Sequence, residues 1–411
     1  MLNAQDILDG CDQLAAISSE TTRLKRVYLS PEHARANALV AHWMAAAGME
    51  AWQDAAGNQW GRFEAATPDQ PALVLGSHLD TVPDAGRFDG MLGVLLAIAV
   101  VARIHQRGTR LPFALEVVGF GDEEGTRFGT TLLGSQAVAG QWQDAWWQLT
   151  DGDGITLEQA FQTFGLEPEG IENAARKPES MLGYLEAHIE QGPVLESSNL
   201  PLGVVTAIAG ARRFSIRLTG QAGHAGTTPF ELRRDALCGA AEAIIAIEAL
   251  ARAAQIVATV GQLNVAPGAV NVIPGEVRFS LDIRAEDDAL RDRTFNAILE
   301  SLERIAESRG LAMTYEETHA ASAVRCADCL QAALSSAIEQ IAPSAPALFS
   351  GAGHDGMAMA AVTEIGMLFL RCKGGISHHP DESVMVADVD VAINALEQAV
   401  LTLAEQYRQE G

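Results

Sequence analysis

Apolar positions change rhythm three times along this 411-residue chain. From residue 5 to 48 they recur at helical spacing, with Gly48 as a stop, and predict a helical opening. Short apolar runs then alternate with helices. LVLGS (73–77) and LEVVGF (115–120) read as buried parallel strands, separated by a helix over 91–107. This βαβ rhythm predicts an α/β domain, a mostly parallel sheet with helices on both faces. From about residue 212 the pattern shifts. RRFSIRLTG (212–220) is a strand, 231–254 an Ala-rich helix, IVATVGQLNV (256–265) a strand, and EVRFSLDIR (276–284) alternates strictly. A second helix over 288–309 leads into LAMTYEE (311–317), giving β-α-β-β-α-β, a two-layer α+β unit. Within 276–284, Val277, Phe279, Leu281 and Ile283 face one way. Arg278, Ser280, Asp282 and Arg284 face the other, so one sheet face packs on the helices and the other stays open. After about 325 the first rhythm returns, with a strand at 367–371 and a closing helix at 388–407. The expected organisation is one α/β domain (1–211 and 325–411) interrupted by an inserted α+β domain (212–324). Residues 142–180, with three tryptophans and a DGDG run, fit neither rhythm and are expected at the rim of a site.

Composition narrows the partners. An apolar fraction of 48% supports folded cores rather than disorder. A formal charge of −25 argues against nucleic acid and anionic membranes, though a local arginine can still receive an anionic small molecule. MLNAQDILDG has neither a basic start nor an apolar core, so no secretion signal is read there. MLGVLLAIAVVA (91–102) is too short to cross a bilayer and predicts a buried helix. Five cysteines, an odd number, suit reduced thiols and a cytoplasmic location. Cys326 and Cys329 have metal or redox spacing, but no second pair accompanies them, and they read as incidental thiols.

Four Gly-punctuated segments carry the candidate chemistry: GSHLDTVPDAGRFDG (76–90), GDEEGTRFG (121–129), YLEAHIEQG (184–192) and GGISHHP (374–380). They supply His78, Asp89, Glu124, His188 and His378, an N/O donor mixture suited to zinc-type catalytic sites. His78 follows one predicted parallel strand and Glu123-Glu124 another, where open α/β sheets build their sites. Asp80, two residues after His78, is expected to accept the ring's other N–H. Asp89 could bridge two cations, or simply cap the helix that follows it. Adjacent Glu123 and Glu124 repel unless a cation neutralises them, so one can ligate while the other acts as general base. Spacing alone leaves His378 and His379 both open. In the inserted unit, His224 sits among small residues in GQAGHAGTTP and could stabilise an oxyanion. Arg284, with Asn271 nearby in sequence, suits bidentate capture of a carboxylate.

Together these segments resemble the two-metal amidohydrolases related to aminoacylases and carboxypeptidase-like exopeptidases. Within them the chain looks most like the ureido-cleaving branch of N-carbamoyl-L-amino acid hydrolases, β-ureidopropionases and allantoate amidohydrolases. The resemblance runs from about residue 20 to 405, on HIEQGPVLE, GHAGTTP, NVIPG, GAGHDGMAM and GGISHHP. DAGRFDG and FLRCKGGISHHP are most similar to the allantoate subgroup. The resemblance implies two divalent ions per subunit, zinc or manganese and possibly cobalt. His78 and His188 would hold one, Glu124 and His378 the other, and Asp89 would bridge. It implies Glu123 as general base and His224, Asn271, Arg284, Gln191 and His354 as substrate groups. His224 would reach the site of a partner subunit in a homodimer formed through the inserted domain. Gly90, where exopeptidase relatives often carry a second aspartate, fits the ureido branch, whereas His379 stands where asparagine is frequent. The implied reaction is hydrolysis of a carboxylate-bearing ureide, allantoate to ureidoglycine, ammonia and carbon dioxide. The alternatives are an N-carbamoyl-L-amino acid hydrolase or β-ureidopropionase and, more remotely, a non-catalytic metal-stabilised binding protein.

Overall fold

The computed structural model describes residues 2–410. They form two compact units, one comprising the residues up to Thr206 and from Arg325 onward, the other Ala207–Val324. No helix among the described residues is long and apolar enough to cross a membrane, and all five cysteines are unpaired.

The first unit opens with two helices, α1 (Ala4–Ala15) and α2 (Pro31–Ala46), where helical spacing predicted one stretch over 5–48. Local hydrogen bonding explains the break. Ser18 Oγ accepts from the backbone N–H of Glu20 and Lys25 and donates to Arg23 O, folding the intervening loop on itself. Ser30 then caps α2 through the His33 amide, and Pro31 takes a first-turn position that needs no N–H. Next come β1 (Glu50–Gln53), β2 (Gln59–Phe63), β3 (Ala72–His78), α3 (Met91–Gln106) and β4 (Ala114–Phe120). After α4 (Leu133–Val138), α5 (Leu157–Phe164), β5 (Met181–Ile189) and α6 (Val194–Ser197), β6 (Leu202–Ile208) leads to the second unit.

That unit contains β7 (Gly210–Thr219), β8 (Gly223–His224), α7 (Ala236–Ala254), β9 (Val257–Thr259), β10 (Leu263–Ala266), β11 (Val272–Ile273), β12 (Glu276–Ala285), α8 (Asp288–Ser308) and β13 (Ala312–Ala321). Its sheet is antiparallel, ordered β10-β12-β7-β13, with β9 also on β12. Val277, Phe279, Leu281 and Ile283 are buried, as the alternation predicted, and Phe214 stacks on Phe295 of α8 with centroids 4.0 Å apart. Two elements differ from expectation. The strand read over 256–265 is split into β9 and β10, because the Gly261 and Gln262 amides bond to Ser280 Oγ instead of a ladder carbonyl. The helix read from 231 starts at Ala236, where Asp235 caps the Leu237 and Cys238 amides.

The chain returns through β14 (Val324–Arg325), α9 (Asp328–Glu339), β15 (Ala347–Ser350), α10 (Gly356–Met359), β16 (Ile365–Leu370) and α11 (Val386–Glu410). The large sheet is ordered β1-β2-β4-β3-β5-β16-β6-β14, with β15 also on β6. Its central four strands, β4-β3-β5-β16, are parallel, and antiparallel strands flank them. Every residue of α3 from Met91 to Ile104 except Arg103 is buried, because β3, β4 and β5 lie against it on one side and α1 and α11 on another. The 142–180 segment carries short helical turns and α5. It builds a satellite core of its own, with Trp142, Trp146 and Trp147 packed around Phe161 and Leu157.

Arg26 ties the opening helices to the end of β3. Its side chain is fully buried, with Nε donating to Leu79 O (2.7 Å) and Nη1 to Leu14 O (2.6 Å) and Ile17 O (3.1 Å). Arg26→Met keeps much of the stem volume but leaves three carbonyls without these donors. Urea unfolding is expected to show a loss of about 3 kcal/mol or more. A loss below about 1 kcal/mol would mean that the buried carbonyls find other donors.

Candidate metal centre

All four parallel strands end on one edge, and each delivers chemistry there. His78 is the last residue of β3, Glu123 and Glu124 follow β4, His188 is next to last in β5, and His378 follows β16. Parallel registers place Gly76 beside Glu186 and Phe369 beside His188, so His78 and His188 come level with ring centroids 5.8 Å apart. Asp89 arrives from the turn between β3 and α3. Its side chain does not cap α3, whose N-cap position is Gly90 at φ +68°. A Cβ on Gly90 would lie 2.5 Å from the His78 ring, so glycine is required there by both backbone and space.

Asp89 is the meeting point. His78 Nε2 and His188 Nε2 lie 3.3 and 3.1 Å from its Oδ1, and His378 Nε2 lies 3.2 Å from Oδ2 and 3.3 Å from Glu124 Oε1. Two donor sets result, His78–Asp89–His188 and Asp89–Glu124–His378, each with its ligand atoms within 4.8 Å of one another. Mixed imidazole and carboxylate sets of this kind suit divalent transition ions. His379 stands outside both: its Nδ1 accepts from the Asp381 amide, and more than half its side chain is exposed. The alternatives that spacing leaves open therefore separate in space.

Charge follows the same geometry. Burial disfavours a charged His78, but the Asp80 and Asp89 carboxylates outweigh it and hold the ring well above the usual histidine range. His188 is likewise buried and is raised by Asp89. His378, bonded to Asp89 and Glu124, is pushed up to about 10. Burial alone would raise Asp89, yet hydrogen bonds from His188, His378 and His78 bring it well below the ordinary carboxylate value. Glu123 is buried beside His78 and Glu124. Burial, with Glu124 and Asp355 adding repulsion against the pull of His78, raises its carboxyl well above the usual range.

Surrounding groups aim these side chains. His78 Nδ1 donates to the main-chain oxygen of Asp80 (3.0 Å), while the Asp80 carboxylate is 3.5 Å away. The expected acceptor is thus the right residue but chiefly through its carbonyl. The carboxylate instead receives the Glu123 and Glu124 amides at 3.0 and 3.2 Å, fixing the turn that carries both glutamates. His188 Nδ1 donates to Ile189 O (2.9 Å), leaving Nε2 for Asp89 or an ion. Gln191 Nε2 donates to Asp89 Oδ2 (2.8 Å). His354, its ring centroid 4.5 Å from that of His188, is kept neutral by burial and by the positive charge of His188; its Nε2 is 2.7 Å from Ser350 Oγ. Ser377, Glu382 and Glu186 are buried or half-buried around these groups and are absent from the sequence-derived set. Ser377 and Glu382 lie in and just after GGISHHP, next to the histidine that drew attention.

The remaining candidates lie in the second unit. His224 on β8 pairs with Val272 on β11, and Asn271 O accepts from the Ala225 amide, so His224 and Asn271 come close across a two-stranded ribbon. Gly226 N donates to His224 Nδ1 (3.1 Å), which puts the neutral ring's proton on Nε2 as an exposed donor. Arg284 is a partly exposed residue of β12 whose Nε and Nη2 both bond to Asp282, at 2.8 and 2.9 Å. Its fork is therefore closed on a neighbouring carboxylate.

Residues 74–402 match peptidase family M20/M25/M40. The chain is 41% identical to a probable allantoate deiminase from Oryza sativa subsp. japonica, covering 96% of this chain and 89% of that protein. It is 42% identical to an N-carbamoyl-L-amino acid amidohydrolase from Geobacillus stearothermophilus, covering 92% and 93%. A solved amidase of the hydantoinase/carbamoylase family from Burkholderia multivorans is similar over 98% of both chains, with TM-score 0.91 and 31% identity.

Proton linkage offers a check on the donor sets. With His378 titrating at about 10 and His78 and His188 also raised, incoming cations must displace protons below that range. Calorimetric titration of stripped protein with zinc or manganese is expected to show proton release, as an enthalpy that varies with the buffer's ionisation enthalpy. Affinity should rise from about pH 6 to about pH 9. Binding without proton release would contradict imidazole ligation at these rings.

Proposed function

The chain belongs to peptidase family M20/M25/M40, and from that premise we propose that it is a metal-dependent amidohydrolase that cleaves a ureido C–N bond, with allantoate as substrate. The observation that carries this is the pair of donor sets sharing Asp89, with the buried Glu123 carboxyl beside one of them. His78 and His188 would hold one divalent cation and Glu124 and His378 a second, with Asp89 serving both. Zinc, manganese and cobalt all suit such donors, and supply decides among them. Bound cations of this kind polarise a carbonyl and make a water acidic near neutral pH.

The chain's own groups do the rest. Glu123 takes the proton of the attacking water and returns it to the departing nitrogen as ammonia. His224, with its proton on Nε2, donates to the developing oxyanion. Arg284 receives the substrate carboxylate, exchanging Asp282 for the ligand. Asn271, Gln191 and His354 hydrogen-bond the ureide. The N-carboxylate left after C–N cleavage loses carbon dioxide, giving ureidoglycine. We further infer a cytoplasmic homodimer formed through the inserted unit. In its favour, Phe230, Leu232 and Ile245 are 80%, 72% and 69% exposed, and the five thiols are unpaired.

DAGRFDG and FLRCKGGISHHP favour allantoate, while the likeness to an N-carbamoyl-L-amino acid amidohydrolase makes that substrate class the second reading. Ammonia release from allantoate and from N-carbamoyl-L-amino acids, assayed with zinc and with manganese, separates the two. Release from neither would remove the function. Glu123→Ala is expected to retain its metal while turnover falls by about 10²–10⁴; a variant that keeps its turnover would strip Glu123 of the general-base role.

A further inference from the structure

We propose that Glu382 is a positioning residue that clamps the Asp89 loop to the His378 loop and so sets the Asp89–Glu124–His378 donor set, an assignment that stands on the dinuclear centre proposed above. Glu382 is 2% exposed and lies four residues beyond His378. Its Oε1 accepts the amides of Phe88 (2.8 Å) and Asp89 (3.1 Å), segments 294 and 293 residues away in sequence. Its Oε2 lies 3.1 Å from Ser377 Oγ, and Ser377 donates to Asp89 Oδ2 at 2.7 Å. One carboxylate thus holds the Asp89 main-chain N–H directly, and its other oxygen packs against the serine whose hydroxyl bonds the Asp89 side chain. The oxygen reached through Ser377 is the one that faces His378.

Two further features show the clamp built from both sides. Gly86 lies three residues before Asp89 in the same turn. A Cβ there would come within 2.3 to 2.4 Å of the Glu382 side chain, so the absent side chain makes room for the carboxylate. On the other side, Glu382 N donates to His379 O (3.0 Å), which ties the glutamate's own backbone to the turn bearing His378. His378 itself adopts φ +55°, a left-handed conformation that is uncommon for residues other than glycine. The ion-holding geometry of Asp89 and His378 therefore depends on a side chain that belongs to neither donor set.

A residue that merely filled space would be replaceable by an apolar side chain of similar length. A clamp would instead tolerate glutamine, whose carbonyl can accept the two amides and whose NH₂ can donate to Ser377, leaving the bond from Ser377 to Asp89 intact. The test is titration of stripped full-length protein with chelator-buffered zinc, with bound metal counted directly and kcat and KM measured alongside. Glu382→Gln is expected to bind two ions with wild-type affinities. Glu382→Met is expected to keep one ion and bind the other about 10–100-fold more weakly, as loss of a group that orients metal ligands commonly does. Its kcat should fall at limiting zinc and recover as zinc is raised, with KM unchanged. Wild-type binding of both ions by Glu382→Met, or equal weakening in Glu382→Gln, overturns the clamp. Where Glu382→Met fails to fold, Ser377→Ala carries the test, and undiminished affinity for the second ion there overturns it. A wild-type protein that binds two ions but hydrolyses no ureide defeats the proposed substrate and leaves the clamp testable. One that binds fewer than two defeats the centre and the clamp together.

Discussion

Three imidazole nitrogens converge on one carboxylate, that of Asp89, and the rest of the site is arranged around that convergence. Rings drawn this close to a buried group need positive charge to be stable together. The carboxylate raises the three histidines, and their hydrogen bonds lower Asp89 in return. Divalent ions can supply the same charge from smaller positions, with the Nε2 lone pairs turned toward them. The second ring nitrogens of His78 and His188 are each bonded to a backbone carbonyl, which fixes the orientation of those rings and leaves Nε2 facing Asp89.

Sheet topology makes the convergence affordable. Candidate ligands taken from positions 78 to 378 could be collected by flexible loops only at a large entropic cost. Here they are collected by the carboxyl ends of four adjacent parallel strands, whose positions the hydrogen-bond ladder has already set. α3 starts directly after Asp89 and is buried along most of its length, so the turn that carries the carboxylate is held by the core rather than by the site. The adjacent Glu123 and Glu124 are managed in a similar way. Asp80, itself buried, accepts both of their amides, which spends its negative charge on backbone dipoles and fixes where the two carboxylates emerge.

Legibility in the sequence followed the range of the interaction. Strands β3, β4, β12 and β16 were readable because burial on one or two faces imprints a short, regular pattern. The opening helices were read as one stretch because the break rests on a serine hydroxyl that folds the loop locally and on Arg26, whose partners Leu79 and Thr81 lie more than fifty residues away. The three histidines that meet at Asp89 could be singled out because each sits in a short segment punctuated by glycine. Ser377 and Glu382 escaped, although they adjoin the same motif, because their contacts and not their residue types set them apart. Their roles exist only through contacts to residues near position 89. Gly86 shows the converse: its presence in DAGRFDG is visible at once, but its reason is the volume of Glu382.

A donor set assembled from such distant segments has no counterpart in the unfolded chain, so ion binding and folding of the first unit are coupled. That coupling cuts unevenly across the two sets. His78 and His188 are buried and rise from paired strands, so the ladder sets where both residues stand. His378 is half-exposed, lies eight residues beyond the end of β16, and holds a left-handed backbone conformation. Ser377 and Glu382, on either side of it in the same segment, link that segment to Asp89. Under the proposed assignment, one ion's histidines stand on rigid ladders and the other's on a clamped loop. The clamped loop is the part of the centre whose order the ion and the protein must establish together.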